Sequence, residues 1–554
     1  MDRSGAHGPG DGSQPPGKPA GNGGPTLPAL IRHTRRPGDR VVRTHRSRVF
    51  HLRRILGIPG LFSVGYGDVG SSIFYALGIV AVAAMGATPV ALGIAGLLFV
   101  FTALTYAEGT SMFPEAGGYA TFARHGFNDM AAFGAGWALM FGYVITISIS
   151  LFTAPHYLGY FWPALKDPKV ASVTAMGIVL FLMAINVVGV RESSRLNITL
   201  IVIVLLAQFL LVVTGLALFF DRHVVWERIV SHWPTTGNLV FGVALATVAY
   251  TGIEAASQLA GEAKEPQKRV PRALVLLIFT VLLVFAGVSL TAFSVMSPVD
   301  LAGNWSENAV AGIANGVYTG IDPQAWAASH TSDPTSAAVL AFFANAFRSI
   351  FPPLVAIMGA TILVVAGNAG LLGISRITFS LADHQSLPPL FGRVHRTFKT
   401  PYVAIVIFGL ITVLILAQGL FLPNIFTILG GLYAFGSMLS FALAHASILA
   451  LRVKQPDRSR PFRLKPAVTV RGRKIPITAV LGLFSTLGVW VVVIVMQPYS
   501  RWFGLLWMGI GMGLYVLYRR SKGLSLTKPG HPPSQVVSPP GDHPATPAAH
   551  AEHP

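Results

Sequence analysis

Cysteine is absent from all 554 residues, which excludes disulfides, thiolate metal sites and cysteine nucleophiles. Charge is scarce as well. Asp, Glu, Lys and Arg make up 11% of the chain, and acids are the minority at 22 against 41 basic residues. Soluble domains carry roughly a quarter charged residues, so a water-surrounded fold is excluded. What fills the chain instead is 52% hydrophobic residues, and this composition points to an all-α polytopic membrane protein whose first partner is the lipid bilayer. The net charge of +19 does not indicate nucleic acid. A nucleic-acid binder gathers its Lys and Arg on a folded soluble surface, whereas here they fall between apolar runs.

Those runs recur near 61–84, 88–107, 130–154, 171–190, 197–220, 238–259, 272–296, 352–382, 402–419, 424–451, 476–496 and 500–518. Each is long enough to cross about 30 Å of hydrocarbon at the helical rise, which predicts about twelve spans. Alternate loops differ sharply in charge. One set holds Arg124; Arg191 and Arg195; Lys264, Lys268, Arg269 and Arg272; Arg393, Arg396 and Lys399; and a dense basic run from Arg452 to Lys474. The opposite set is poor in Lys and Arg, and its long member, 297–351, carries Asp300, Glu307, Asp322 and Asp333 against Arg348 alone. Lys and Arg collect on the cytoplasmic side, so both termini are expected there, with a transmembrane domain over 53–520 in the plasma membrane. Residues 1–52 are rich in Gly, Pro and Arg, show no signal-peptide pattern and are expected to form a disordered basic tail. A second, proline-rich disordered tail is expected over 521–554. The segment 297–351 is too polar to span and is expected to pack as short helices over the outer mouth.

Asp68 lies in LFSVGYGDVGSSIFYAL, at the start of the first span. A carboxylate at the centre of a span costs roughly 2.5 to 3.5 kcal/mol on insertion scales and marks an ion, proton or substrate path. Gly65, Gly67 and Gly70 surround it, and a glycine cluster lets a membrane helix open toward a cavity. The sixth span, VALATVAYTGIEAASQLAGEAKEP, has Gly252 between Thr251 and Glu254 amid small residues. Spans one and six are an odd number apart, so as copies of one unit they run inverted, with two helix breaks converging near the midplane.

From about residue 57 to 465 the chain resembles the amino acid, polyamine and organocation permease superfamily. GDVGSSIF at 67–74 is similar to its first-span signature, and MFPEAGGYATFARHGF at 112–127 to its loop after span two. AYTGIEAASQLAGEAKEPQKRVPRAL at 249–274 resembles its sixth span and following loop. GNAGLLGISRITFSLADHQSLPPLFGRVHRTFKTP at 367–401 and SRPFRLKP at 459–466 resemble two further loop signatures. The resemblance implies two inverted five-helix repeats of the LeuT type, with spans one and six broken, plus two peripheral helices. It implies a secondary active transporter, not an enzyme, that moves amino acids by alternating access. Gly70, Ser71 and Ser72 would face the substrate carboxylate, and Ala249, Thr251 and Gly252 its amine. Free N–H groups attract an anion and free carbonyls a cation, in keeping with those roles. Ser72 replaces a glycine usual in the motif.

Two departures bear on coupling. Proton-coupled relatives often place a lysine in the fifth span, but NITLIVIVLLAQFLLVVTGLALFF at 197–220 has none. Asp68, Ser71, Ser72 and Tyr75 also form D-x-x-S-S-x-x-Y, which is similar to the first span of potassium and proton symporters in the same superfamily. Thr146, Ser150 and Tyr433 occupy positions where those symporters place oxygen ligands and gate residues. Gly142 stands where one branch carries an acid, and the loop signatures lean toward amino acids. The alternatives are a potassium and proton symporter or a polyamine or organic-cation permease.

Asp68 has three readings: a proton carrier, a cation ligand, or a structural acid bonded to backbone groups. Glu254 reads as structural, Glu108 and Glu115 as loop and gate residues, and Arg376 as snorkelling or paired with an acid. His125, His156, His384, His395 and His445 lack paired metal-ligand spacing, so no metal is expected. The only cofactor-like species expected is a proton or monovalent cation as coupling ion. No sequence feature points to a particular oligomeric state.

Overall fold

A computed structural model describes residues 54, 56–115, 117–189, 194–320 and 322–528. The expectations for 1–53 and 529–554 lie outside the described residues, as does Arg191. Among the described residues, ten helical stretches are long and apolar enough to cross a membrane, and the first, Ile58–Met112, holds two spans. Met85, at φ +45°, and a short 3-10 turn separate span 1 (Ile58–Ala84) from span 2 (Thr88–Met112). Spans 3 to 5 are Asp129–Leu158, Pro168–Val188 and Ser194–Phe219, and span 7 is Pro266–Val295. Spans 8 to 11 are Pro334–Asp383, Tyr402–Ala417, Ile425–Lys454 and Ile477–Met496. The less apolar helix Pro498–Ser521 makes the twelfth.

Their ends obey ordinary capping chemistry. Asn128 accepts the Ala131 amide at 2.9 Å to start span 3, and Asp167 accepts those of Lys169 and Val170 to start span 4. Span 4 stops at Gly189, whose φ of +81° leaves the helix at little cost for a residue without Cβ. Span 3 is buried along its length against spans 8 and 10. Spans 5 and 11 instead display Phe209, Leu206, Phe484 and Val495 at the surface, as helices facing lipid do.

Span 6 is interrupted. Thr236–Ala246 is helical, Thr247–Tyr250 tightens to a 3-10 turn, Thr251 is extended, and Ile253–Gln258 resumes the helix after Gly252 at φ +104°. Span 1 corrects the expectation of a second break: it is helical without interruption through Gly65, Gly67 and Gly70. Two of those glycines serve close approach instead. A Cβ on Gly65 would stand 2.5 Å from the Leu277 side chain, and one on Gly67 would stand 3.2 Å from Ile201.

The segment 297–351 does contain short helices, at Pro298–Ala302, Ala309–Thr319 and Pro323–His330. Its last part is different from the expectation, because span 8 starts at Pro334, capped by Asp333, and runs on through Pro352 and Pro353. The apolar run starts near 352, yet the fixed φ of proline is helical and the preceding AAVLAFFANAF is rich in helix formers. At the chain's other end, residues 522–528 do not trail away. Arg519, fully buried, donates to the carbonyls of Ser525 and Lys528 and lies 3.5 Å from Asp129, which ties this turn to the start of span 3.

Candidate functional site

The break in span 6 is built against span 1 at Asp68. A Cβ on Gly252 would stand 2.7 Å from Asp68 Cγ and 2.8 Å from the Val69 amide nitrogen, so only glycine fits. The Gly252 N–H donates to Glu254 Oε2 at 3.1 Å. Asp68 and Glu254 are each 5% exposed and interact electrostatically. Neither forms an ion pair among the described residues, and no hydrogen bond to the Asp68 carboxylate is found there. Burying a charge without a counter-charge is costly, and neither of these two carboxylates has one among the described residues. Glu254, read as structural from the sequence, accepts a backbone amide at the break itself.

A run of hydroxyls leads away from this pair. Ser71 and Ser72 donate to the Asp68 carbonyl at 2.7 and 3.4 Å, and the Ser72 and Tyr75 hydroxyls lie 2.8 Å apart. Tyr433 of span 10 interacts with Tyr75 and with Thr146 of span 3. Thr146 donates to the Gly142 carbonyl at 2.9 Å. Ser150, one turn on, is buried with no hydrogen-bond partner among the described residues. One turn before Thr146, a methyl on Gly142 would meet nothing within 4 Å, so unfilled space adjoins this run at Thr146. Spans 1, 3, 6 and 10 thus bring together the residues that the sequence singled out.

The substrate-facing groups differ between the two spans. The amides of Gly70, Ser71 and Ser72 lie inside an unbroken helix. In span 6 the Thr251 hydroxyl donates to the Val248 carbonyl at 2.8 Å. No hydrogen bond to the carbonyls of Ala249, Tyr250 or Thr251 is found among the described residues, so these oxygens are available to a cationic group.

Both routes to this centre are closed. On the side of the acidic loop, a Cβ on Gly78 would overlap the Ser306 carbonyl, so the loop rests directly on span 1. The Tyr157 hydroxyl donates to the Phe74 carbonyl at 2.6 Å and receives the Val310 amide at 3.3 Å. On the basic side, Leu56 pairs with Glu262 and Lys264 backbone groups at 3.0 and 2.9 Å, Thr110 meets Ser257 at 2.7 Å, and Arg376 pairs with Glu262 at 3.5 Å. Sequence reasoning missed these closures. It also missed Tyr66, which donates to Gln208 at 2.6 Å; the signal was an amide in the middle of the largely apolar fifth span. The described residues hold no metal-type cluster, and Glu115 is an exposed loop residue.

The sequence profile of the amino acid permeases matches residues 56–515. The chain belongs to the amino acid permease family. It is 28% identical to the branched-chain amino acid permease BcaP of Bacillus subtilis over 491 residues, 85% of this permease and 94% of BcaP. The methylthioribose transporter of the same organism is 26% identical over 495 residues, covering 85% and 95% of the two chains. The glutamate/serine transporter AimA, also from Bacillus subtilis, is 24% identical and covers 75% of this permease and 74% of itself. Among solved structures, a manganese transporter from Eremococcus coleocola superposes with a TM-score of 0.50 at 14% identity, over 83% of this permease and 92% of that chain. At that identity the likeness concerns the fold alone.

Proposed function

We propose that this permease accumulates an amino acid across the plasma membrane by alternating access, coupled to protons through Asp68, with its basic loops and termini in the cytoplasm. The observation that carries the reading is the pair Asp68 and Glu254, buried together around Gly252 without a counter-cation among the described residues. The open carbonyls of Ala249 to Thr251 receive the substrate amine. The carboxylate is received by the amides of Gly70, Ser71 and Ser72 once span 1 opens among its glycines, and the hydroxyl run through Tyr75, Tyr433, Thr146 and Ser150 lines the other wall. The closed arrangement is then the occluded stage between two open ones.

Uptake into proteoliposomes with a panel of labelled amino acids and with rubidium, with and without an acid-outside gradient, tests this. At least one amino acid is expected to accumulate only under the gradient. Rubidium entering while every amino acid stays out would establish the potassium alternative, which Asp68, Tyr75 and Tyr433 keep in view. With one proton per substrate, one pH unit supports about tenfold accumulation. Asp68→Asn is expected to bring that ratio to about one while exchange of internal for external substrate continues. Gradient-driven accumulation persisting in the variant would remove Asp68 from the coupling path.

A further inference from the structure

Between spans 10 and 11 the chain forms a two-stranded antiparallel hairpin, Ala467–Val470 with Arg473–Pro476, turned at Arg471 and Gly472 with φ of +48° and +76°. Beside it is a cleft of about 540 Å³ lined by Arg452, Arg463, Lys465 and Lys474 with Leu464, Pro466, Ala467 and Thr469. No acid lines it. Arg452 is 4% exposed and is held by Glu108, whereas Arg463, Lys465 and Lys474 are exposed and form no ion pair among the described residues. Three cations thus converge on one cleft with no anion to balance them.

The location selects among anions. Thr469 pairs with Lys474 and Ala467 with Pro476, so one face of the hairpin turns to the cleft. The alternate residues Val468 and Val470 are 50% and 51% exposed, an apolar pair that water does not favour. Span 11 begins at the residue after the hairpin and displays Leu481 and Phe484, which places the cleft at headgroup level beside a lipid-facing helix. We propose that this cleft binds the phosphate of an anionic phospholipid, with Arg463, Lys465 and Lys474 around the headgroup and Val468 and Val470 dipping into the interface. Basic pockets at helix ends on one side of a membrane protein take anionic headgroups in this manner.

Native mass spectrometry of the full-length chain, presented with phosphatidylglycerol and phosphatidylcholine in competition, tests the assignment. The wild type is expected to retain phosphatidylglycerol preferentially. The variant Arg463→Ala, Lys465→Ala, Lys474→Ala is expected to lose roughly fivefold of that preference per cation, on the order of 100-fold in all. A control carrying Arg393→Ala, Arg396→Ala and Lys399→Ala removes equal charge from another loop and is expected to keep it. Equal retention of both lipids by the wild type, or an equal loss in both triple variants, would overturn the proposal. So would inorganic phosphate or ATP displacing phosphatidylglycerol at millimolar concentration, since the occupant would then be a soluble anion. Melting temperatures near wild type confirm that each variant is folded.

Discussion

Gly252→Ala is expected to reduce uptake to background while the protein still reaches the membrane. A methyl there must enter a backbone at φ +104° and stand 2.7 Å from Asp68 Cγ, 2.8 Å from the Val69 nitrogen and 2.9 Å from the Asp68 carbonyl carbon. Left-handed strain alone costs roughly 1 to 3 kcal/mol, and the contacts are to span 1 backbone, which cannot swing aside as a flexible side chain would. Span 1 must back away from the break in span 6, separating Asp68 from Glu254 and spoiling the carbonyls of Ala249 to Thr251. Labelled uptake, normalised to protein that elutes as a single peak in detergent, is the measurement. Transport near the wild-type rate would show that the two spans do not work through this contact.

Glu108→Ala is expected to have the largest effect on stability. Glu108 is fully buried at the end of span 2 and receives Arg452 at 2.8 and 2.5 Å and the Leu464 amide at 2.7 Å, with Arg460 at 3.6 Å. One turn on, Ser111 accepts the Phe462 amide at 3.2 Å. One carboxylate therefore joins span 2, span 10 and the strap 460–464, and its removal leaves the buried Arg452 without its counter-charge, while Arg460 keeps its bonds to the carbonyls of Leu451, Gln455, Pro456 and Arg458. Breaking such a pair costs about 3 to 5 kcal/mol, which corresponds to a fall in melting temperature on the order of 10 °C. Glu115→Ala, at an exposed site four residues past Ser111, is expected to leave it unchanged. Equal melting of the Glu108 variant and wild type would mean that the strap is held by its backbone alone.

These two sites show different degrees of legibility. Gly252 was readable because a glycine beside Thr251 and Glu254 in an apolar span interrupts both helix propensity and hydropathy. The matching inference for span 1 failed: the same residue type at Gly65 and Gly67 is used for side-chain contacts with Leu277 and Ile201, and a sequence does not distinguish a glycine needed for its φ from one needed for its lack of Cβ. Glu108 read as a loop or gate residue, because its partners Arg452 and Arg460 lie 344 and 352 positions along the chain.

The membrane class, the near dozen spans, the alternation of basic-rich and basic-poor loops and the candidate residues of spans 1, 3, 6 and 10 are legible in the amino-acid order alone. Those follow from composition and local periodicity, which the bilayer imposes residue by residue. That span 1 stays helical, that Asp68 and Glu254 both lie against Gly252, that packing closes over them on either side and that three cations share a cleft became visible only in the packed helices. Such facts depend on which distant segments pack together, and in a chain with one apolar helix after another the hydropathy pattern is nearly the same for every possible pairing.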